Sequence, residues 1–338
     1  MEEIFILNKA RKKVQRFLLS KHEKDLAHSL NVSKEYLNQQ IAFPLYEQFG
    51  VPKKSGGYRE IQAPHKELKA IQKQLANILN NCYGVPNGVH GFIKSKAGNT
   101  YDILSNANNH LGKKWVWNID IALFFSSITT TMVVNRLMQA PFNFNETKAK
   151  YVALIAVYQK KLPTGSPCSP VLSNLVCTLL DQQINEWVLV QTETAALTQV
   201  VYTRYADDLT FSANQQFSLD QKEEIFAMLN RYGFDINDKK VREQSHKQAQ
   251  WVTGIKVNEK PNLCRKNLRN IRAILHQCRT KGLTQTATQF FELKVEANPE
   301  EVRRFLLILR GRIAHIGFVK GRGDLAYLKY LNEWRLVC

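Results

Sequence analysis

An α+β protein with a β-containing centre and helical ends is the architecture this sequence predicts. Three observations carry it: a buried-strand pattern at 115–121, two β-rich runs joined by a polar turn at 199–213, and a helical, strongly basic stretch after Pro261. The 338 residues exceed the usual size of one compact core, so two or three subdomains are expected. We divide the chain into an N-terminal helical extension (1–44), a central core (45–261) and a basic helical C-terminal domain (262–338).

Residues 1–44 read as helical and polar. Within them 25–37 has the rhythm of a helix-turn-helix, for which a plain helical hairpin packed on the main body is the preferred reading. From residue 51 a basic Gly-containing turn, with Lys53, Lys54 and Arg59 around Gly56 and Gly57, separates two short β-like runs. The turn reads as a phosphate clamp or as a solvated hairpin tip, the latter being the preferred reading on this segment alone. A helix follows from about Lys66 to Asn80. The run 115–121 is largely apolar, with Asn118 and a single carboxylate, Asp120, as its polar members, as in a strand covered on both faces. A carboxylate there belongs at the strand's end, beside a cation or hydrogen-bond donors. Residues 162–174 form a Gly/Pro/Ser loop ending in a helix start, with Ser169 as cap and Pro170 at the first helical position. Val171, Leu172, Leu175, Val176, Leu179, Leu180 and Ile184 then recur at helical spacing and read as core. In 199–213 two β-rich runs meet at a tight turn carrying Asp207 and Asp208.

Composition narrows the function. Lys and Arg number 47 against 29 Asp and Glu, a net charge of +18, which favours polyanionic partners. Half of that excess, +9, lies in residues 262–338. Arg265, Lys266, Arg269 and Arg272 share a helical face there, and Asn298-Pro299 starts a second helix carrying Arg303, Arg304, Arg310 and Arg312. This concentration reads as a groove for a nucleic-acid backbone. No apolar run approaches the roughly 18–20 residues of a membrane span, and the N-terminus lacks a secretory signal, so a cytoplasmic protein with no membrane partner is expected. The six cysteines show no zinc or disulfide spacing and read as packing residues in a reducing compartment.

Asp120 and Asp207, distant in sequence, become neighbours if their strands pair. Carboxylates on adjacent rigid elements, with the Ile121 carbonyl as a further oxygen, suit two Mg²⁺ ions about 4 Å apart, the arrangement that joins a hydroxyl to a phosphate. The residues alone leave two readings open, a polymerase-like metal site or an ordinary acidic turn.

Four segments then resemble reverse transcriptase motifs in the family's order. Tyr-Ala-Asp-Asp at 205–208 looks like the signature hairpin, and 120–128 resembles the first metal-binding motif. Residues 162–170 are similar to the loop and helix that hold template and incoming nucleotide, and 233–240 resemble the following palm motif. Asn-Ala-x-x-His at 106–110 and Val-Thr-Gly at 252–254 match elements of the retron branch. The resemblance covers residues 45–260 strongly, and the N-terminal helices and thumb only by position and charge.

This resemblance implies a right-hand polymerase fold, with fingers and palm (an antiparallel sheet with helices) over 45–261 and a helical thumb over 262–338. It implies an RNA-directed DNA polymerase in which Asp120, Asp207 and Asp208 are catalytic and, with Ile121, hold two Mg²⁺, Asp208 less directly. Phe125 falls where these enzymes keep a ring against the sugar 2′-hydroxyl. Arg59, with Lys53 or Lys54, falls where fingers residues grip the triphosphate, Thr164 and Gly165 in the nucleotide loop, and Lys239 or Lys240 near the leaving pyrophosphate. For RNA binding it points to Asn106, His110, Val252, Thr253 and Gly254 together with the basic face Arg265, Lys266, Arg269 and Arg272; His110 reads equally as a satisfied structural histidine. Ala122, Leu123 and Thr164 depart from the residues many relatives carry, which bears on nucleotide discrimination and leaves the metal ligands intact.

Retron enzymes, on this resemblance, use dNTPs to copy a cognate structured noncoding RNA and prime from one of its 2′-hydroxyls. The product is a branched RNA-DNA molecule, msDNA, and the setting is bacterial antiphage defence with, for this chain, a separate effector protein. The alternatives are an intron-encoded, diversity-generating or abortive-infection reverse transcriptase, or a non-catalytic nucleic-acid binder.

Overall fold

The near-continuous apolar run Trp115-Val116-Trp117 with Ile119 builds a central strand. In the computed structural model, which describes residues 12–20, 22–53, 56–82, 84–95 and 98–337, it is β3 (Trp115–Asp120). It lies in a four-stranded sheet of order β4-β5-β3-β6, with β4 at Val201–Tyr205, β5 at Asp208–Ala213 and β6 at Arg242–Ser245. Strands β4 and β5 pair antiparallel, from Val201 opposite Ser212 to Tyr205 opposite Asp208. A separate hairpin, β1 (Tyr46–Pro52) with β2 (Tyr58–Pro64), supplies the basic turn.

Trp117 shows why this sheet closes. It is 1% exposed and has Phe211, Phe217 and Phe226 around it at ring-centroid distances of 5.2, 5.4 and 5.6 Å. Burying rings of this size is the main driving term for such a core. The 25-residue helix Ser169–Glu193 packs its apolar stripe into the same core, with Val171, Leu172, Leu175, Val176, Leu180 and Ile184 buried. Two sequence expectations are corrected here. Leu179 is 40% exposed, outside the stripe. Ser169 is the first helical residue, preceded by Cys168, and its hydroxyl donates to the Pro163 carbonyl instead of capping the helix.

The chain divides into two compact units. Of the described residues, the first holds those up to 102 and 117–243, the second 103–116 and those from 244 on, so the chain crosses between them after residue 102, within β3 and within β6. In the first unit, helices Glu23–Ser29 and Lys34–Ala42 form the expected hairpin and bury Leu26, Ala27, Leu30 and Leu37 in the shared core. The helix expected to end near Asn80 runs Lys66–Leu79.

The second unit is mainly helical, as predicted for the chain after Pro261. Helices Arg265–Lys281, Leu283–Phe290, Pro299–Lys320 and Leu325–Val337 enclose a core around Ile271, Leu275, Phe305, Leu309, Ile313 and Ile316. Asn298 caps its helix in a reciprocal arrangement: Glu301 N donates to Asn298 Oδ1 at 2.9 Å, and Asn298 N donates to Glu301 Oε2 at 2.8 Å. Pro299 occupies the first turn, where a missing N–H costs nothing. The short helix Ile103–Asn108 and the hairpin β7 (Trp251–Val252) with β8 (Ile255–Lys256) belong to this unit as well. Among the described residues no helix is long and apolar enough to cross a membrane.

Candidate active site

The β4–β5 hairpin turns in two residues, Ala206 and Asp207, because Tyr205 and Asp208 are register partners. Ala206 has φ of 60°, a left-handed conformation that residues with a Cβ resist. Two hydrogen bonds hold the turn. Arg204 Nη1 donates to the Ala206 carbonyl at 3.2 Å. Ile121 N donates to the Asp207 carbonyl at 3.0 Å, which joins the end of β3 to the hairpin tip. Asp120, Asp207 and Asp208 therefore share one end of the sheet.

The buried Asp120 has the partners expected of a carboxylate at a strand's end. Lys240 Nζ donates to Oδ1 at 2.6 Å and Asn237 Nδ2 to Oδ2 at 3.1 Å. Both donors come from the segment after Gly233, which is tied to β3 by Asn237 N to the Asp120 carbonyl and Ala122 N to the Asp235 carbonyl, at 2.9 and 2.8 Å. Asp120 and its neighbours hold the Lys240 ammonium above its ordinary pKa, chiefly through that hydrogen bond.

Asp207 and Asp208 carry the electrostatic tension. The Asp207 carboxyl is pushed up, first by burial and then by Asp120, against the pull of its own backbone N–H, Lys240 and Arg59. Asp208 keeps a solvent-facing edge, yet the walls around its carboxylate, then Asp207 and Asp120, push it up to about 6, opposed by Lys240 and Arg242. The donors offered here, carboxylates and the carbonyl of buried Ile121, are the hard oxygens that Mg²⁺ prefers. Among the described residues no three His, Cys, Asp or Glu side chains are gathered into a ready-made metal shell. Lys240 stands there as the neighbouring cation.

Behind the hairpin lies a buried polar network. Arg204 and Asp181 are both 0% exposed and pair in two bonds, Nε to Oδ1 at 2.8 Å and Nη2 to Oδ2 at 2.7 Å. The Tyr202 hydroxyl donates to Asp181 Oδ1 at 2.8 Å, and Arg204 Nη1 donates to Asn174 Oδ1 at 3.0 Å. Burial alone would weaken the Arg204 charge, but Asp181 outweighs it and raises the guanidinium well above its ordinary value. Burial and the Asp181 charge raise the Tyr202 phenol likewise.

The remaining expected nucleotide contacts fall as follows. Arg59 is exposed on β2 and close enough to act on the Asp207 charge; Lys53 is exposed at the β1–β2 turn. Lys54 lies outside the described residues. The Thr164 carbonyl accepts from Gln62 N at 3.1 Å, which ties the 162–170 loop to β2, and Gly165 beside it is exposed. Phe125 is half-buried in the helix Phe124–Ser127. Lys239 is exposed, whereas Lys240 is engaged with Asp120.

The two short elements expected to bind RNA meet in the second unit. Thr253 Oγ1 donates to the Ile103 carbonyl at 3.0 Å. Thr253 and Gly254 form the two-residue β7–β8 turn with φ of 46° and 80°, which explains a glycine at 254. Asn106, His110 and Val252 are at most 1% exposed, so the direct RNA contact expected of them is not open to these side chains; they are packed into the unit's interior. Asn108, Asn109 and Gly254 face outward. Arg265, Lys266, Arg269 and Arg272 are all exposed on a helix whose other face buries Ile271, Leu275 and Cys278.

Sequence reasoning missed Asn237, Arg242 and the Asp181–Arg204 network. Asn237 stands inside the 233–240 motif, and Arg204 directly precedes the signature hairpin. Asp181, a carboxylate within a stripe of core residues, was the available signal for a buried ion pair.

A family model described as reverse transcriptase (RNA-dependent DNA polymerase) matches residues 51–257. The chain is 32% identical to the retron Mx65 reverse transcriptase of Myxococcus xanthus, over 75% of this chain and 62% of that protein. It is also 32% identical to the retron Ec86 reverse transcriptase of Escherichia coli, over 75% of this chain and 76% of that protein. It thus spans less than two thirds of the first relative's length. Among solved structures, telomerase from Candida albicans in complex with a fragment of telomeric RNA aligns with a TM-score of 0.48 and 10% identity, covering 93% of this chain and 67% of that chain.

Two expected outcomes follow from the electrostatics. Removing one partner of a buried ion pair strands the other charge, so Asp181→Asn lowers unfolding free energy by about 3–5 kcal/mol in urea titration; a loss below about 1 kcal/mol contradicts the pair's role. For Asp208 the folded state holds the proton more tightly than the unfolded chain. Its ionisation therefore destabilises the fold as pH rises from about 4 towards 6, and the penalty is complete above that range. In chelator, Asp208→Asn unfolds at higher urea than the parent at pH 7.5, and the gap closes by pH 4. A gap independent of pH refutes the assignment.

Proposed function

The chain belongs to the reverse transcriptase family, on its retron branch, and we propose that it is an RNA-directed DNA polymerase that copies a cognate structured noncoding RNA from dNTPs. The observation that most supports this reading is the bond from Ile121 N to the Asp207 carbonyl, which sets Asp120 beside the Tyr-Ala-Asp-Asp hairpin. Reverse transcriptases use divalent metal ions. Here two Mg²⁺ are proposed, held by Asp120, Asp207, Asp208 and the Ile121 carbonyl; when bound, they supply activation of the primer hydroxyl and neutralisation of the leaving pyrophosphate. The raised carboxyls of Asp207 and Asp208 fit a cluster short of positive charge.

The chain's own residues divide the remaining work. Arg59 and Lys53 are proposed to bind the triphosphate of the incoming nucleotide, with Thr164 and Gly165 lining its loop. The Phe125 ring is proposed to exclude a ribose 2′-hydroxyl by contact. Lys240 shifts between Asp120 and the departing pyrophosphate, with Lys239 as a second cation beside it. In the right-hand description, residues 45–261 are fingers and palm and 262–338 are thumb.

RNA recognition is assigned to the second unit. Buried Asn106, His110 and Val252 fix the shape of the element that Thr253 ties together. The exposed Asn108, Asn109 and Gly254 are its outer surface. The basic face Arg265, Lys266, Arg269 and Arg272 supplies charge for phosphates. Priming from an RNA 2′-hydroxyl, a branched msDNA product and antiphage defence with an effector protein complete the proposed reading, as the motif resemblance to retron enzymes implies.

Asp207→Asn combined with Asp208→Asn abolishes primer extension and leaves salt-sensitive RNA binding close to the parent's. Extension by the double variant at the parent's rate removes the mechanism. Phe125→Ala raises ribonucleotide use relative to dNTP, by up to about 100-fold if the ring alone rejects the extra hydroxyl. Single-nucleotide incorporation kinetics measure this, and an unchanged ratio rejects the gate.

A further inference from the structure

The Phe125 ring does not stand alone. A ladder of aromatic rings leads to it from the core: Phe234 to Phe124 at 5.9 Å, Phe124 to Phe125 at 5.5 Å, and Phe125 to Phe92 at 5.8 Å between centroids. Phe234 and Phe124 are buried, whereas Phe92, the last rung, is 38% exposed. Phe92 lies nearly parallel to Phe125, at 29° between planes. Phe125 therefore lies between a buried ring behind and a surface ring in front.

What holds Phe92 there is the metal-site hairpin itself. Residues 88–92 run beside β4: Arg204 N donates to the Gly88 carbonyl at 2.8 Å, and His90 N donates to the Arg204 carbonyl at 2.9 Å. Asn174 Nδ2 donates to the Gly91 carbonyl at 2.9 Å. A Cβ at Gly91 would stand 2.3 Å from Ala206 N, so only glycine allows this approach to the turn. Phe92 has φ of 62°, a conformation that a bulky residue keeps only where its surroundings over-determine it. In this conformation its ring stacks on Phe125 while remaining partly in solvent.

We propose that Phe92 is a positioning residue for nucleotide discrimination: stacked on Phe125, it fixes that ring against the incoming sugar in register with the Asp207–Asp208 turn. The inference rests on the reading of Phe125 as the sugar gate. Phe92 acts through Phe125, so its loss frees the gate ring to swing without removing it.

The test is the ratio of kcat/KM for a ribonucleotide to that for the matching deoxynucleotide, measured on one preparation of each full-length variant. The ratio does not depend on the fraction of protein that is folded. An aromatic contact of this kind predicts a rise of about two- to tenfold for Phe92→Ala. Phe92→Tyr, which keeps the ring, restores the parent ratio. The double variant Phe92→Ala with Phe125→Ala is no more permissive than Phe125→Ala alone, because the two residues act as one. If Phe125→Ala relaxes the ratio while Phe92→Ala leaves it unchanged, or if the two effects multiply, the positioning role is overturned and the gate reading survives. If Phe125→Ala itself leaves the ratio unchanged, the gate reading fails and takes the inference with it.

Discussion

Three carboxylates at one end of a sheet repel one another, and the structure around them is arranged to withstand that repulsion. Asp120 is quietened by Lys240 and Asn237, which reach it from a segment bonded to β3 through its backbone. Asp207 and Asp208 lack an equivalent ion pair among the described residues and show the strain as raised carboxyls. Side-chain attraction cannot hold such a group together, so the backbone must. The bond from Ile121 to Asp207 fixes the two acidic elements whatever their charge state.

The buried Asp181–Arg204 pair answers a second demand, because a two-residue turn with alanine in the left-handed region has no intrinsic reason to persist. Arg204 spends two nitrogens on Asp181, and the third bonds both Asn174 and the Ala206 carbonyl. Asn174 and Asp181 lie on the same long helix, the one whose apolar face is sunk in the core. The turn is thus tied to a 25-residue helix anchored in the core of the unit. Replacing such a pair with apolar residues is often neutral for stability, but an apolar side chain has no donor for the Ala206 carbonyl.

Much of the site was legible because its chemistry restricts residue identity. Metal-holding carboxylates must be Asp or Glu on rigid elements, and an acid in an apolar run, as at Asp120, advertises itself. The hairpin around Asp207 and the helix boundaries at Lys66 and Pro299 were legible for the same reason, since turns and caps draw on few residue types. Other features depend on contacts between distant segments and leave no local trace. Asp181 sits in a stripe whose period says core, and its partner is 23 residues away. Residues 103–116 read as part of the central core, yet they pack with the C-terminal helices because Ala107 and Val116 fit that interior. Asn106 and His110 read as candidate contacts by resemblance, and only burial shows that they are internal.

Phe92 illustrates the limit most sharply, since one exposed ring after a glycine has no pattern to announce it. Its meaning comes from Gly91, which brings the 88–92 segment against the Ala206 turn. Two residues with a Cβ, Phe92 and Ala206, thus occupy left-handed conformations on either side of one contact. Each is strained alone, and each is held by hydrogen bonds that converge on Arg204 or Asn174. The element that orients the acidic turn also orients the ring beside Phe125. Acid placement and ring placement therefore share one framework, so a change at Arg204 reaches both, whereas a change at Phe92 reaches only the ring.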